Sequence, residues 1–327
     1  MRRREFIKLA GGAAAGWPLV ARAQQAGKVR RIGILDTTTR ELNKDIAALF
    51  RGLRAFGYVE GQNLIVEYRS ADGRNERLPD LVSELLRLNL DLIVVRGTPE
   101  IIVIKNANVK IPIVMSAVGA DPIGLGLAAS LSHPGGNITG MSSMVTELEA
   151  KRLEILREIV PGVKRVAILG DFRNSAVAMQ WDEVQTAARS LALEVERFDV
   201  RSSEDISRAF ETAIGDHVDA IRIGVDGTTR PNRGLIIELA SKYRLPAIYA
   251  AREFAIEGGL ISFAADYADL YLRTATVVDK ILKGANPAEI PIEQPTKFDM
   301  VVNLITAKSL GLTIPYVLVA RADEVIE

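Results

Sequence analysis

Short apolar runs alternate with segments of mixed polarity along most of this chain. Arg31–Leu35 (RIGIL), Leu64–Tyr68 (LIVEY), Asp91–Val95 (DLIVV) and Ile111–Met115 (IPIVM) are apolar over most of their length. That pattern belongs to strands buried on both faces. Between them, 42–56, 77–89 and 99–107 carry apolar positions at helical spacing. Buried strands separated by helices predict a parallel sheet covered on both sides.

The pattern then restarts. Val29–Asp36 (VRRIGILD) is echoed by Val163–Asp171 (VKRVAILGD), and Asp91–Val95 followed by Gly97-Thr98 is echoed by Asp219–Ile223 followed by Gly227-Thr228. Ile111-Pro112 is echoed by Leu245-Pro246, and the three echoes are offset by 134, 128 and 134 residues. Two copies of one α/β unit therefore follow each other. Pro112 and Pro246 each stand near a strand start, where a residue without an N–H is tolerated.

Turn-rich segments mark where the chain passes between the copies. His133–Gly140 (HPGGNITG) closes the first unit, Gly258–Ser262 precedes a helix expected over 266–283, and Pro291–Pro295 makes a third crossing. The last helix, expected over 304–310, ends at Gly311, a C-cap residue. The expected lobes are 28–140 with about 262–290, and 141–261 with about 296–327.

The first 23 residues read as an address label. Arg2, Arg3, Arg4 and Lys8 form a basic head, Leu9–Val20 an apolar middle, and Ala21-Arg22-Ala23 a signal-peptidase site with expected cleavage after Ala23. The middle falls well short of the roughly 20 residues of a membrane-spanning helix. Arg3–Lys8 (RREFIK) resembles a twin-arginine (Tat) export signal, so the expected location is the periplasm.

Composition narrows the function further. With no Cys there is no disulfide framework, thiolate metal site or cysteine nucleophile, and no lipid anchor on an N-terminal cysteine. The chain balances 41 basic against 41 acidic residues; removing the label's five basic and one acidic leaves 36 against 40. Such a balance offers no electrostatic footprint for nucleic acid or anionic lipid. About 300 remaining residues suffice for two domains, each with its own core.

Several segments taken in order resemble the periplasmic substrate-binding proteins of ABC transporters, in the branch typified by the tryptophan-binding TrpX proteins. They are Gly57–Asn63 (GYVEGQN), Glu67–Arg69, Gly97–Pro99 (GTP), Ile111–Val114 (IPIV), Asp121-Pro122, Pro134–Gly140 (PGGNITG), Ile281–Gly284 (ILKG), and Asn303 with Ala307–Gly311 (AKSLG). The likeness runs from about residue 30 to the C-terminus. It implies an α/β fold of the type I periplasmic-binding protein: two Rossmann-like lobes with parallel sheets, a three-segment hinge, and a small molecule in the cleft between. It also implies an ABC permease as partner, a monomer, and no cofactor.

Ligands of open parallel sheets sit beyond the carboxyl ends of the strands, where helix N-termini offer unpaired N–H groups. The candidate residues are those just after strand ends. In the first unit these are Thr37, Thr38, Arg96, Thr98, Pro99 and Asp121; in the second they are Phe172, Arg173, Asn174, Ser175, Asp226, Thr228 and Arg252. Thr98, before Pro99, reads equally as a plain N-cap or as a ligand carboxylate's partner, and Asn174-Ser175 carries the same choice. Asp226 suits either a ligand ammonium or a turn with Gly227. Arg96, Arg173 and Arg252 suit a carboxylate-bearing ligand or a solvated surface. Phe172, Tyr249 and Tyr267 suit the walls of a pocket or the core. Relatives in the resembled branch often carry an aromatic pair where this chain has Gly227-Thr228-Thr229, which argues against recognition of a large aromatic ring.

Enzymatic readings find little support. Gly124–Ala129 (GLGLAA) imitates a dinucleotide fingerprint but lies away from its strand, and the first strand ends in Asp36-Thr37-Thr38-Thr39 without glycine. No Walker-type run occurs. The two histidines, His133 and His217, fall in separate repeats with no metal-ligand or triad spacing. The reading is a solute-binding protein that captures an amino acid or a small organic or aromatic carboxylate for an ABC importer. The alternative is a sensor component presenting its ligand to a receptor kinase.

Overall fold

The computed structural model describes residues 29–41, 43, 45–143 and 148–327, with the backbone alone for Ser175; the expected export label lies outside them. The first sheet is formed by β1 (Arg30–Asp36), β2 (Leu64–Ser70), β3 (Leu92–Val95), β4 (Ile113–Val118) and β5 (Ile138–Ser142). Helices α1 (Ile46–Ala55), α2 (Leu78–Leu86) and α3 (Thr98–Asn106) connect the first four strands. The strands are parallel, in the order β2-β1-β3-β4-β5.

Successive side chains on a strand point to opposite faces, and here both faces are dry. Ile32, Ile34, Leu92 and Val94 join one buried cluster, while Leu35, Ile93, Val95 and Met115 join another. That double burial is why these strands read as continuous apolar runs rather than as alternation.

The second unit begins with α4 (Glu149–Ile159), followed by β6 (Arg165–Gly170), α5 (Ser175–Leu191), β7 (Glu194–Asp199) and α6 (Ser203–Gly215). It continues through β8 (Ala220–Ile223), α7 (Arg233–Lys242), β9 (Ala247–Tyr249), α8 (Arg252–Ile256) and β10 (Ile261–Ala265). Then come α9 (Tyr267–Leu282), β11 (Phe298–Asn303), α10 (Leu304–Leu310), α11 (Tyr316–Arg321) and β12 (Glu324–Ile326). The sheet order is β12-β11-β10-β9-β8-β6-β7, so β7-β6-β8-β9-β10 repeats the order of the first sheet. β11 is antiparallel to β10, and β12 is parallel to β11.

The chain changes lobes a few residues later than the turn signals suggest. β5 keeps pairing with β4 through Ser142, past the expected limit at residue 140. β10 pairs with β9 and β11, so residues 262–265 belong to the second sheet rather than the first lobe. Both strands stay buried to their last residue, and apolar burial outweighs the nearby glycines in setting where they end. Each last parallel strand then sends its helix to the other lobe. α4 packs on α5, whereas α9 returns to pack on α1 and β4. The segment expected as a third crossing runs beside β5: Ser142 N donates to Glu293 O and Glu293 N to Gly140 O, both at 2.9 Å.

The second lobe also buries charge. Arg152, Arg222 and Glu149 are no more than 1 % exposed. Arg152 Nη1 donates to Glu149 Oε1 at 2.5 Å and its Nε to Phe263 O at 2.8 Å, tying α4 to β10. Arg222 Nη2 also donates to Glu149 Oε1, and to Gln180 Oε1 at 2.8 Å. Arg222 lies in register between Ile168 and Ile248, in the middle of the sheet.

Two stability predictions follow from this packing. Gly140 has φ +122°, and a Cβ there would stand 2.2 Å from Met115 O and 2.5 Å from Met115 N. Gly140→Ala is expected to lower the urea midpoint, with backbone strain alone costing roughly 1–3 kcal/mol. Gly136→Ala, where a Cβ meets nothing within 4 Å, should leave the midpoint unchanged. Glu149→Gln removes the carboxylate shared by two buried guanidinium groups and should cost about 3–5 kcal/mol in the same measurement.

Candidate functional site

The first lobe's wall is organised by Asp36, the fully buried last residue of β1. Its Oδ1 accepts from Thr38 N at 2.8 Å and Thr38 Oγ1 at 3.0 Å; its Oδ2 accepts from Asn43 Nδ2 and Tyr68 OH, both at 2.7 Å. Asn43 Nδ2 also donates to Tyr271 OH at 3.1 Å, linking this corner to α9. Burial and the Asp36 charge raise the Tyr68 phenol well above its usual value, so it stays a donor. Arg96, just past β3, sits with Nη1 3.7 Å from Asp36 Oδ1.

α3 begins one residue earlier than its sequence suggests, with Gly97 as N-cap and Pro99 in the first turn. Thr98 Oγ1 therefore does not cap the helix; it accepts from Ala120 N at 3.1 Å and holds the loop after β4. Glu100, also in the first turn and fully buried, accepts from Thr37 N through Oε1 at 2.8 Å. Its Oε2 has no hydrogen-bond partner. Burial, and then repulsion from Asp36, push this carboxyl up to about 7 against the pull of its hydrogen bonds and of Arg96.

The second wall is the N-terminal end of α5 with the loop after β8. Asn174 caps α5, its side chain accepting from Ala176 N at 3.0 Å. Asp226 Oδ1 accepts from Thr228 N and Thr229 N, both at 2.8 Å, and Oδ2 from Asp171 N at 2.9 Å. Burial pushes the Asp226 carboxyl up in spite of those three donors. The turn reading of Asp226 thus describes its bonding, although its side chain also lines the cleft. Gln180 lies further along α5, and its carbonyl oxygen accepts from Arg222 Nη2.

Between these walls lies a cavity with an empty volume of about 690 Å³, part of it open to solvent. Its charged and polar lining includes Arg96, Glu100, Asp226, Asn174, Gln180 and Ser143. Ala117, Val177, Val225, Ala250 and Tyr267 supply the apolar part. The N-terminal ends of α3 and α5 both meet it, so two positive helix-dipole ends face the same space. The lobes touch around the cavity. Arg230 pairs with Glu253 of its own lobe at 2.6 Å and with Asp45 of the other at 3.3 Å, and the backbones of Gly73 and Gly227 meet.

Of the residues singled out in the sequence, Thr37, Arg96, Thr98, Pro99, Asn174, Asp226 and Tyr267 line this cavity. The others have different work. Thr38 and Thr228 bond to Asp36 and Asp226, respectively. Asp121 is exposed and accepts from Ile123 N and Gly124 N, both at 2.9 Å, closing a turn. Phe172 packs edge-on against Trp181, with Arg197 over its ring. Arg173 is exposed and paired with Asp171 at 2.6 Å. Arg252 bridges Asp299 at 2.7 Å and Glu324 at 2.6 Å. Tyr249 is core, stacked on Phe254. The Ser175 side chain lies outside the described residues.

Glu100, Gln180 and Ser143 are cavity residues that strand-end reasoning passes over. Glu100 looks like an ordinary first-turn acid favoured by the helix dipole, and Gln180 lies well past its helix start. Neither histidine lines the cavity. Among the described residues no group of three or more His, Cys, Asp or Glu is placed to hold a metal, and no helix is long and apolar enough to cross a membrane.

Comparisons with known proteins agree with this architecture. A tyrosine-binding protein of Clostridioides difficile is 24% identical over 286 residues, covering 87% of this chain and 82% of the relative. A conserved domain protein of Vibrio cholerae superposes with a TM-score of 0.84 at 28% identity, covering 91% of this chain and 100% of that one. An ABC domain from Streptococcus pneumoniae in complex with L-Trp superposes with a TM-score of 0.83 at 28% identity, covering 91% and 99%. The two-lobed α/β architecture is the type I periplasmic-binding fold, and the Clostridioides difficile and Streptococcus pneumoniae relatives are named for a bound amino acid, not for an enzymatic activity. Residues 38–326 match the family model for ABC transporter substrate binding proteins, and the chain belongs to that family.

Proposed function

We propose that this substrate-binding protein captures a free amino acid between its lobes and delivers it to an ABC importer's permease. The observation that carries this reading is the pairing of opposite charges in one cavity between the lobes. Arg96 and two helix N-termini suit a carboxylate, while Glu100 suits an ammonium. A zwitterion satisfies both, whereas a simple carboxylate leaves a buried acid without a partner. The relatives named for tyrosine and L-Trp support an amino acid as the class of ligand. The small side chains of Ala117, Val177, Val225 and Ala250 leave room for its side chain. The protein works as a monomer outside the cytoplasmic membrane, exported by its twin-arginine label.

A thermal-shift screen of the common L-amino acids, aromatic acids and small carboxylates tests the ligand class. A bound amino acid at 100 times its dissociation constant should stabilise the fold by about 2.7 kcal/mol. Arg96→Met should weaken that binding at least roughly tenfold, the loss of one charge-assisted contact. A folded protein that shifts with no amino acid would refute the reading. For export, Arg3→Lys combined with Arg4→Lys should leave the uncleaved chain in the cytoplasm, as read by fractionation; normal export of that variant would assign the label to another route.

A further inference from the structure

We propose that Glu100 receives the ligand's ammonium group and gives up a proton to solvent as it does so, an inference that rests on the amino-acid reading above. The geometry that carries it is an uneven set of partners in the first lobe's wall. From β1, Asp36 accepts four hydrogen bonds and lies 3.7 Å from Arg96. From the loop after β1, Thr37 N donates to Glu100 Oε1, and the residue's own backbone N–H also acts on its carboxyl. Glu100 Oε2 is buried and has no partner, although the residue lines the cavity.

The other groups around Glu100 do not remove the imbalance. Tyr68 and Tyr271 are raised phenols and stay neutral. Across the cavity, Asp226 is engaged by three backbone N–H groups and brings no cation to Glu100. Arg96 is one cation facing three carboxylates, Asp36, Glu100 and Asp45. An ionised Glu100 is therefore a surplus buried charge, and the empty site holds a proton on Oε2.

An ammonium group brings both the missing charge and three donors. On binding, the Oε2–H bond breaks, the proton leaves for solvent, and the carboxylate accepts from the ligand N–H. The carboxyl at about 7 places this exchange within the physiological range. In the empty protein the same raised value favours the folded state below the ordinary carboxylate range, and that contribution is lost as pH rises through about 7. Capture should strengthen over the same interval, because the form that binds is the ionised one.

Calorimetry with L-tyrosine, L-tryptophan and L-leucine, each paired with the same acid lacking its amino group, tests the exchange. Wild-type affinity for the amino acid that binds should fall roughly 30-fold from pH 8.0 to 5.5, and two buffers of different ionisation enthalpy should show about one proton released at pH 6. The acid without an amino group should show neither effect. Glu100→Gln keeps an acceptor for Thr37 N, and should bind the amino acid weakly with little pH dependence. Amino-acid binding that is independent of pH, or that releases no proton, overturns the role of Glu100 while leaving the amino-acid reading in place. Failure of every L-amino acid to bind the folded protein sinks both.

Discussion

A buried carboxyl group at the end of the first strand is the point on which the first lobe's cavity wall depends. Asp36 has left water entirely, a costly move unless its oxygens are fully occupied. Thr38, Asn43 and Tyr68 occupy them, and each partner brings its own element: the loop after β1, the entry to α1, and β2. Asn43 extends the reach to Tyr271 of α9, the helix that returns from the second lobe. Arg96 stands beside the same carboxylate. One buried carboxyl group thus sets the positions of Thr37 and Arg96 at the cleft and anchors the helix that follows a lobe crossing.

The duplicated units explain why the cleft exists at all. In a parallel sheet every strand ends at the same edge, and the next helix begins there with unpaired N–H groups. Two such edges facing each other collect four kinds of group in one place: strand-end loops, helix N-termini, their capping side chains, and the crossing segments. The exchange of α4 and α9 between lobes makes each lobe incomplete without a helix that follows the other's last parallel strand. The Arg230–Asp45 pair and the Gly73–Gly227 contact show the two edges already in touch across the mouth.

Charge in the second lobe is handled differently. The Glu149–Arg152–Arg222 cluster occupies the space between α4, α5 and the sheet, where apolar side chains would pack with less desolvation. Its return is orientation. Arg222 holds the carbonyl oxygen of Gln180, a residue of the cavity lining, and Arg152 fastens the crossing helix α4 to the backbone of β10. The cluster is thus both core and support for the cleft.

Sequence alone was enough for the elements that depend on local pattern. Strands buried on both faces announced themselves as apolar runs, and the offset echoes of Val29–Asp36 and Ile111-Pro112 disclosed a duplicated sheet. Position after a strand end was enough to place Thr37, Arg96, Asn174 and Asp226 near the cleft. Tertiary structure decided what pairs with what. Arg173 and Arg252 look as available as Arg96 in the sequence, yet Asp171 neutralises one, and Asp299 with Glu324 the other, the latter partners 47 and 72 residues away. Glu100 carries no local mark that separates it from a helix-capping acid. Its significance arises only when folding brings Asp36 and Thr37, more than sixty residues earlier, against it and leaves one oxygen unmatched. Periodicity reports which face of an element is dry; the charge balance of a cavity is a sum over distant segments, and that sum is formed only when they meet.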